Sequence, residues 1–323
     1  MPIALITGMA GQDGSYLAEL LHEKGYRIVG ILPDMKEIEG PEANPLPEGT
    51  TLVKDNLCDL NRLVAIMERY CPDEIYNFAA HSFLGTSFVT PVQTGDILGL
   101  GVARLLEAIR IAVPKARLFQ ASSSEIFGNP VEVPQSENTL FRPRNPYGAA
   151  KVYAHLLTGI YRETYGIYAC CGILYNHESP LRRPEFVTRK VTLGAARIKL
   201  GLASELKLGG LDACRDWGFA GDYVRGMWLM LQQAVPDDYI LATGKIHSVR
   251  DLCEIAFSHS GLDYRDHVVT EAETFRPHDR GQLVGNPSKA HRVMKWIPTV
   301  TFEEMIRKMV DADMERLRSG ALR

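Results

Sequence analysis

The chain has 323 residues, of which 46% are hydrophobic; at about 150 residues per domain this length implies two domains, or one large domain with a smaller lobe. Lys plus Arg number 36 against 39 Asp plus Glu, a net charge of −3, which with no dense basic run argues against nucleic acid as the main partner. No stretch approaches the roughly 18 apolar residues that span a membrane, and the apolar run at the N-terminus is too short, and lacks the basic flank, for a signal peptide. The six cysteines form no CxxC pair and read as reduced core thiols of a cytoplasmic protein.

Ile3 to Thr7 is a short apolar run that ends at a glycine, as a buried parallel strand does. Leu17, Leu20 and Leu21 predict a helix over 15–24. Further strands are expected at Arg27–Leu32 and Thr51–Lys54, and a proline-rich loop between Pro33 and Gly49. Leu60–Tyr70 reads as helix and Glu74–Phe78 as strand. A long helix is expected over Thr94–Ala112, a strand over Ala116–Ala121, a helix over Pro146–Gly166 and a strand over Tyr168–Leu174. This alternation predicts an α/β protein with helices on both faces of a parallel sheet. After Asn176 the chain turns to Pro- and Arg-rich loops, which point to a second, smaller lobe. The helix Tyr223–Gln233 and the strand Asp238–Ala242 return to the first lobe. The expected division is 1–175 with about 216–245 for the first lobe, and 176–215 with 246–323 for the second.

Gly8, Gly11 and Gly14 stand between the first strand and the first helix. Small residues there let the backbone approach a pyrophosphate at a helix N-terminus, the signature of a Rossmann-type doubly wound sheet. A tight structural turn would use the same glycines. Asp34 follows Gly14 by twenty residues, where a carboxylate meets ribose hydroxyls and repels a 2′-phosphate; a plain loop aspartate beside Pro33 is the alternative. Asn56 and Leu57, after the third strand, are placed to meet an adenine.

Tyr147 and Lys151 are four apart on one helix face. An ammonium there is expected to lower the phenol's pKa, so that the tyrosine takes a substrate hydroxyl proton while hydride leaves the carbon. Ser122, Ser123, Ser124 and Glu125 end a strand some way earlier. Such C-terminal strand ends are where parallel sheets bind ligands, although a serine-rich cap would look the same.

The runs GQDGSYLAE, IYNFAAHS, QASSSEIFG, NPYGAAKVYA, NHESP, FVTRK and RDWG resemble the GDP-mannose 4,6-dehydratase family of the extended short-chain dehydrogenase/reductases, across nearly the whole chain. The resemblance implies oxidation at C4 of a GDP-hexose by a bound nicotinamide, loss of water across C5 and C6, and hydride return to C6. Tyr147 would be the C4 base with Lys151 as its partner. Glu125 would move protons at C5 and C6, and Ser123 would replace a usual threonine. The cofactor, tightly held NAD(P), would meet Gly8, Gly11, Gln12, Asp13, Gly14, Asp34, Asn56, Leu57, Ala79, Ala80, Ser82, His177 and Arg182, besides Tyr147 and Lys151. The GDP-sugar would meet Ser82, Glu125, Asn176, Val187, Lys190, Leu208, Gly209, Arg215, Arg276 and Asp279. No metal is expected.

Departures from the family pattern matter. Pro33-Asp34-Met35 stands where the family has an Arg pair for the NADP 2′-phosphate, and the following loop is shorter. Both lean toward NAD, and toward a homodimer rather than a tetramer, formed by the helices near 95–112 and 146–166. His81, Phe83 and Asp279 also differ and leave the exact sugar open, a GDP-heptose included. A C4 dehydrogenase or 4-epimerase would keep Tyr147 and Lys151 but has no need of Glu125. An idle nucleotide-binding scaffold would need none of the set.

Overall fold

The computed structural model describes residues 1–38, 43–80, 84–270 and 282–320. Six strands appear up to residue 174: β1 (Ile3–Thr7), β2 (Arg27–Leu32), β3 (Thr51–Lys54), β4 (Glu74–Asn77), β5 (Arg117–Ala121) and β6 (Ala169–Leu174). With the strand Tyr239–Leu241 they form one parallel sheet in the order Tyr239–Leu241, β6, β5, β4, β1, β2, β3. The chain winds outward from β1 through β2 to β3, then crosses to β4 and winds the other way. The reversal lies between β1 and β4, and a crevice opens there at the C-terminal strand ends.

The strands are apolar because both faces are covered. In β1, Ala4 and Ile6 enter the core on one face, with Leu17, Leu21, Met227 and Trp296. Leu5 enters the other, with Leu63, Leu105 and Ile109. Helices α1 (Gln12–Glu23) and α2 (Leu60–Tyr70) lie on opposite faces. Next come α3 (Leu84–Val89), α4 (Pro91–Gly95), α5 (Gly101–Ala112) and α6 (Pro146–Tyr165). The helix expected from Thr94 therefore begins earlier, with Pro91 at its first position, where a missing N–H does no harm. Between α4 and α5 the residues Asp96–Leu100 make a π turn, which no apolar periodicity signals. Gly99 lies on it, where a Cβ would come within 3.3 Å of the Tyr153 ring. The loop after Pro33 likewise contains a 3-10 turn, Met35–Ile38.

Helices α7 (Val187–Lys199), α8 (Ala220–Leu231), α9 (Val249–His259), α10 (Ser288–Met294) and α11 (Phe302–Arg318) complete the helical set among the described residues. α7, α9 and α11 pack together around Val191, Leu252, Phe257, Met305 and Met309. A buried ion pair crosses this core: Arg189 Nη2 is 2.6 Å from Asp313 Oδ1, and Thr192 Oγ1 donates to Asp313 Oδ2 at 2.8 Å. α8 packs on the sheet beside α1. So does the segment Ser288–Trp296, which the sequence reading grouped with the second lobe. Its Ala290, Met294 and Trp296 join the sheet-side core. Among the described residues no helix is long and apolar enough to cross a membrane. All six cysteines are free. Cys170, Cys171 and Cys253 are core thiols as expected, but Cys58 and Cys71 are exposed and Cys214 is half-buried.

Trp296 is fully buried, donates its Nε1–H to the Asp222 carbonyl at 2.7 Å and meets the Tyr223 ring edge-on at 5.7 Å. Trp296→Ala should lower stability by about 3–5 kcal/mol, the usual cost of emptying an aromatic core site. Urea unfolding checks it: a shift below about 1 kcal/mol would mean that this segment does not anchor to the sheet.

Candidate active site

The turn after β1 has little room for side chains. Gly8 has φ +68°, and a Cβ on it would come within 2.8 Å of the Phe78 carbonyl carbon. A Cβ on Gly14 would reach 2.5 Å from the Met9 carbonyl oxygen. Glycine alone meets both demands. Gly11 donates its N–H to the Gly8 carbonyl at 3.0 Å and occupies the N-cap of α1, with no side-chain cap. The start of α1 is thus packed close against the ends of β1 and β4 with no side-chain cap over its first amides, which fits a pyrophosphate.

Gln12 and Asp13 turn the other way. Gln12 Nε2 donates to the His177 carbonyl at 3.0 Å, and Gln12 Oε1 accepts from Ser179 Oγ at 2.7 Å. Asp13 Oδ2 is 2.9 Å from His177 Nε2, while His177 Nδ1 donates to the Tyr175 carbonyl at 2.8 Å. The imidazole stacks on Tyr223 with centroids 4.6 Å apart. Burial disfavours the charged ring, but the Asp13 carboxylate and its hydrogen bond outweigh this, and the His177 pKa is raised. Burial likewise pushes Asp13 up, and His177 more than cancels it, so Asp13 stays below the ordinary carboxylate range. The expected cofactor residues Gln12, Asp13 and His177 therefore form a clamp between the glycine turn and the segment after β6. Nothing local predicts a pair 164 residues apart.

Asp34 lies two residues beyond β2, exposed, its Oδ1 accepting the Lys36 amide at 3.1 Å. Asn56 is exposed past β3 and accepts the Cys58 amide at 2.8 Å. The Leu57 side chain is buried instead, against Gly101. The sequence reading passed over Asp55, which is buried between the Asn56 amide at 2.8 Å and Arg62 Nε at 2.7 Å. After β4, Ala79 donates its amide to Thr7 Oγ1 at 3.1 Å. Ala80 packs beside Leu98, Tyr147 and Ala150.

β5 delivers Ser123 and Glu125 to the crevice, and α6 delivers Tyr147 and Lys151. Lys151 is buried and its Nζ donates to the Ala121 carbonyl, the last of β5, at 2.8 Å. Burial pushes the Lys151 ammonium down to about 8. It also pushes the Tyr147 phenol up to about 12, against a hydrogen bond from Ser123 that pulls the other way and with the Glu125 charge adding to the rise. This corrects the expectation that Lys151 depresses the phenol. The ammonium lies 5.6 Å from the Tyr147 ring centroid and directs a proton at a backbone carbonyl, so desolvation dominates. Glu125 is half-buried; its amide donates to Ser123 Oγ at 3.2 Å, and its Oε2 accepts from Asn145 Nδ2 at 2.8 Å. Asn145 escaped the sequence reading.

On the other side of the crevice, Asn176 pairs in parallel with Trp217, next to His177 with Gly218 and Glu178 with Phe219. Arg182 Nε lies 3.0 Å from Glu178 Oε2, and its guanidinium sits 3.5 Å over the Phe186 ring. Val187 opens α7, with Lys190 exposed on its first turn. Arg215 pairs with His247 across a short antiparallel ladder, and its Nη1 donates to the Cys214 carbonyl at 2.7 Å. The Leu208 side chain belongs to the core of the second lobe, and Gly209 beside it is half-buried. Ser82, His81, Phe83, Arg276 and Asp279 lie outside the described residues. Away from the crevice, ligand atoms of His155, Cys171 and Asp238 come within 4.8 Å of one another, a grouping that their sequence spacing does not show. Arg162 already holds both Asp238 oxygens at 2.9 and 3.0 Å.

Sheet order, glycine turn and the Tyr147–Lys151 pair define a member of the short-chain dehydrogenase/reductase class. Residues 5–309 match the family model for GDP-mannose 4,6 dehydratase, and the chain belongs to that family. It is 46% identical to GDP-mannose 4,6 dehydratase 1 of Arabidopsis thaliana, over 97% of this chain and 90% of that one. It is 43% identical to the GDP-mannose 4,6-dehydratase of Yersinia enterocolitica, over 100% and 96%. Among solved structures, the UDP-glucose 4-epimerase of Thermus thermophilus in complex with NAD superposes with a TM-score of 0.84 at 25% identity, over 96% and 98% of the two chains.

The clamp makes stability depend on pH. The raised His177 pKa means that its contribution is full below its unfolded value and is lost as pH rises through the folded one. The Asp13 contribution is lost only in acid, as pH falls through its depressed pKa. The stability difference between wild type and His177→Gln should therefore be larger at about pH 6 than at about pH 9. Urea unfolding at both pH values measures it, and a difference that does not change with pH would show that the ring is neutral in the folded protein.

Proposed function

We propose that the chain is a GDP-mannose 4,6-dehydratase that converts its substrate to a GDP-4-keto-6-deoxy-hexose and water. The observation that carries this reading is Glu125, a carboxylate hydrogen-bonded through Asn145 to the start of the helix that bears Tyr147 and Lys151. Hydride chemistry alone does not require it, whereas elimination beside a ketone does. The family membership and the names of the relatives support the same substrate.

Gly8, Gly11, Gly14, Asp34, Asn56 and the amides after β4 would hold NAD, which when bound would supply the acceptor for the C4 hydride that ends on C6. Tyr147 accepts the C4 hydroxyl proton, with Ser123 beside its oxygen. Lys151, bonded to the Ala121 carbonyl, keeps its ammonium on the helix face that bears Tyr147. Glu125 removes the C5 proton, now acidified by the C4 ketone, and delivers it to the departing C6 hydroxyl, so that water leaves. A proton then returns to C5, which balances the one taken up by Tyr147 and restores the starting state. Asn176, Lys190 and Arg215 supply the amide and cations suited to the diphosphate of the sugar nucleotide.

The first lobe, residues 1–175 with roughly 216–245, holds the cofactor, and the second holds the sugar nucleotide; Ser288–Trp296 goes with the first. The protein acts in the cytoplasm as a homodimer. α4, α5, the π turn between them and α6 supply the surface for it, where Val92, Leu100, Ile111, Leu156 and Ile160 are exposed.

Glu125→Gln keeps the shape and removes the carboxylate. Dehydration of GDP-mannose, followed by mass, should fall by roughly 10² or more; a near wild-type rate would rule out the assigned role. For the cofactor, protein stripped of nicotinamide and titrated with each form should bind NAD at least about tenfold more tightly than NADP, a difference of about 1.4 kcal/mol. Asp34→Arg should reverse the order if the exposed carboxylate sets it. Tighter binding of NADP by the wild type would overturn the NAD assignment.

A further inference from the structure

Asn145 makes two hydrogen bonds of opposite sense. Its Oδ1 accepts the Gly148 amide at 2.7 Å as the N-cap of α6, and its Nδ2 donates to Glu125 Oε2 at 2.8 Å. The cap fixes the orientation of the amide. An oxygen must face the helix start, so the NH₂ must face the carboxylate. The backbones are close as well: a Cβ on Gly148 would come within 2.6 Å of the Glu125 carbonyl oxygen. Tyr147 lies between the cap and Gly148, two residues from Asn145, and its phenol feels the Glu125 charge. One side chain thus ties the carboxylate to the helix that carries the tyrosine.

We infer that Asn145 is a positioning residue that holds Glu125 toward the C5–C6 edge of the sugar, so that the two proton-transfer groups keep one spacing through a reaction that uses them in turn. The inference rests on the reading of Glu125 as the group that moves protons in the elimination. The amide donor keeps Oε2 in place and so fixes where the carboxylate can meet the C5 proton.

Two substitutions separate the cap from the donor. Asn145→Asp keeps a good N-cap and sets a carboxylate against Glu125, while Asn145→Ala loses both bonds. Thermal stability should fall for Asn145→Ala through the lost cap, and elimination should fall out of proportion to any loss of stability for Asn145→Asp. Elimination should be slowed tenfold or more in Asn145→Asp and less in Asn145→Ala. On mixing with GDP-mannose, the absorbance of reduced nicotinamide should build up in Asn145→Asp, because C4 oxidation proceeds and the next step lags. A purely structural role predicts that all steps weaken together with thermal stability, and that result overturns the inference. Glu125→Gln is run in parallel. If it is slow and Asn145→Asp is not, the role of Asn145 falls and that of Glu125 stands. If Glu125→Gln dehydrates normally, the reading of Glu125 falls and takes the inference with it.

Discussion

Lys151 carries a cation in a site where almost no water reaches it, and the Ala121 carbonyl 2.8 Å away gives it an acceptor. An ammonium so placed would be costly without such a partner. The carbonyl belongs to the last residue of β5, so the bond ties α6 to the sheet edge at one height. Tyr147 lies one turn before Lys151, and Ser123 and Glu125 leave the strand just after Ala121. Their mutual geometry follows from that one attachment. Burial lowers Lys151 to about 8 and raises Tyr147 to about 12. Both shifts disfavour charge, as burial does.

The second constraint crosses the crevice. Gln12 and Asp13 leave the glycine turn and bind the segment Tyr175–Ser179 through the Ser179 hydroxyl, a carbonyl and the His177 ring. Behind that segment, Arg189 donates to the carbonyls of Pro180 and Arg182 at 2.9 and 2.8 Å while it pairs with Asp313 on α11. A polar path thus runs from the C-terminal helix through α7 to the start of α1. Buried ion pairs contribute little net stability, but removing one partner leaves a stranded charge. Their value here is placement. Within the glycine turn the buried Met9 side chain anchors one face, and the Gln12 and Asp13 contacts hold the other.

Buried carboxylates elsewhere serve the backbone. Asp216 accepts from the Thr243 and Gly244 amides at 2.9 Å each and from Thr243 Oγ1 at 2.6 Å, fixing the turn that follows the edge strand. Asp222 accepts from the amides of Thr299 at 2.7 Å and Val300 at 3.0 Å, which locks the segment after Trp296 onto α8. The Asp222 bonds carry the chain from the sheet-side core to the start of α11.

The sheet strands and the flanking helices were legible because their signal is local. Apolar runs such as Ile3–Thr7 and Arg27–Leu32 describe strands covered on both faces, and the glycines at 8, 11 and 14 mark a turn where backbones crowd. Tyr147 and Lys151 could be paired from helical spacing alone. Tertiary structure decided whatever depended on a partner far along the chain. Nothing in the local sequence marks the side chains of Leu57 and Leu208 as core. Asp13 meets His177 only because β1 and the segment after β6 end on the same edge. Asn145 meets Glu125 only because α6 starts against the end of β5. Periodicity records which face of an element is apolar. It holds no record of which polar group waits across the crevice, since topology sets that distance and local sequence does not.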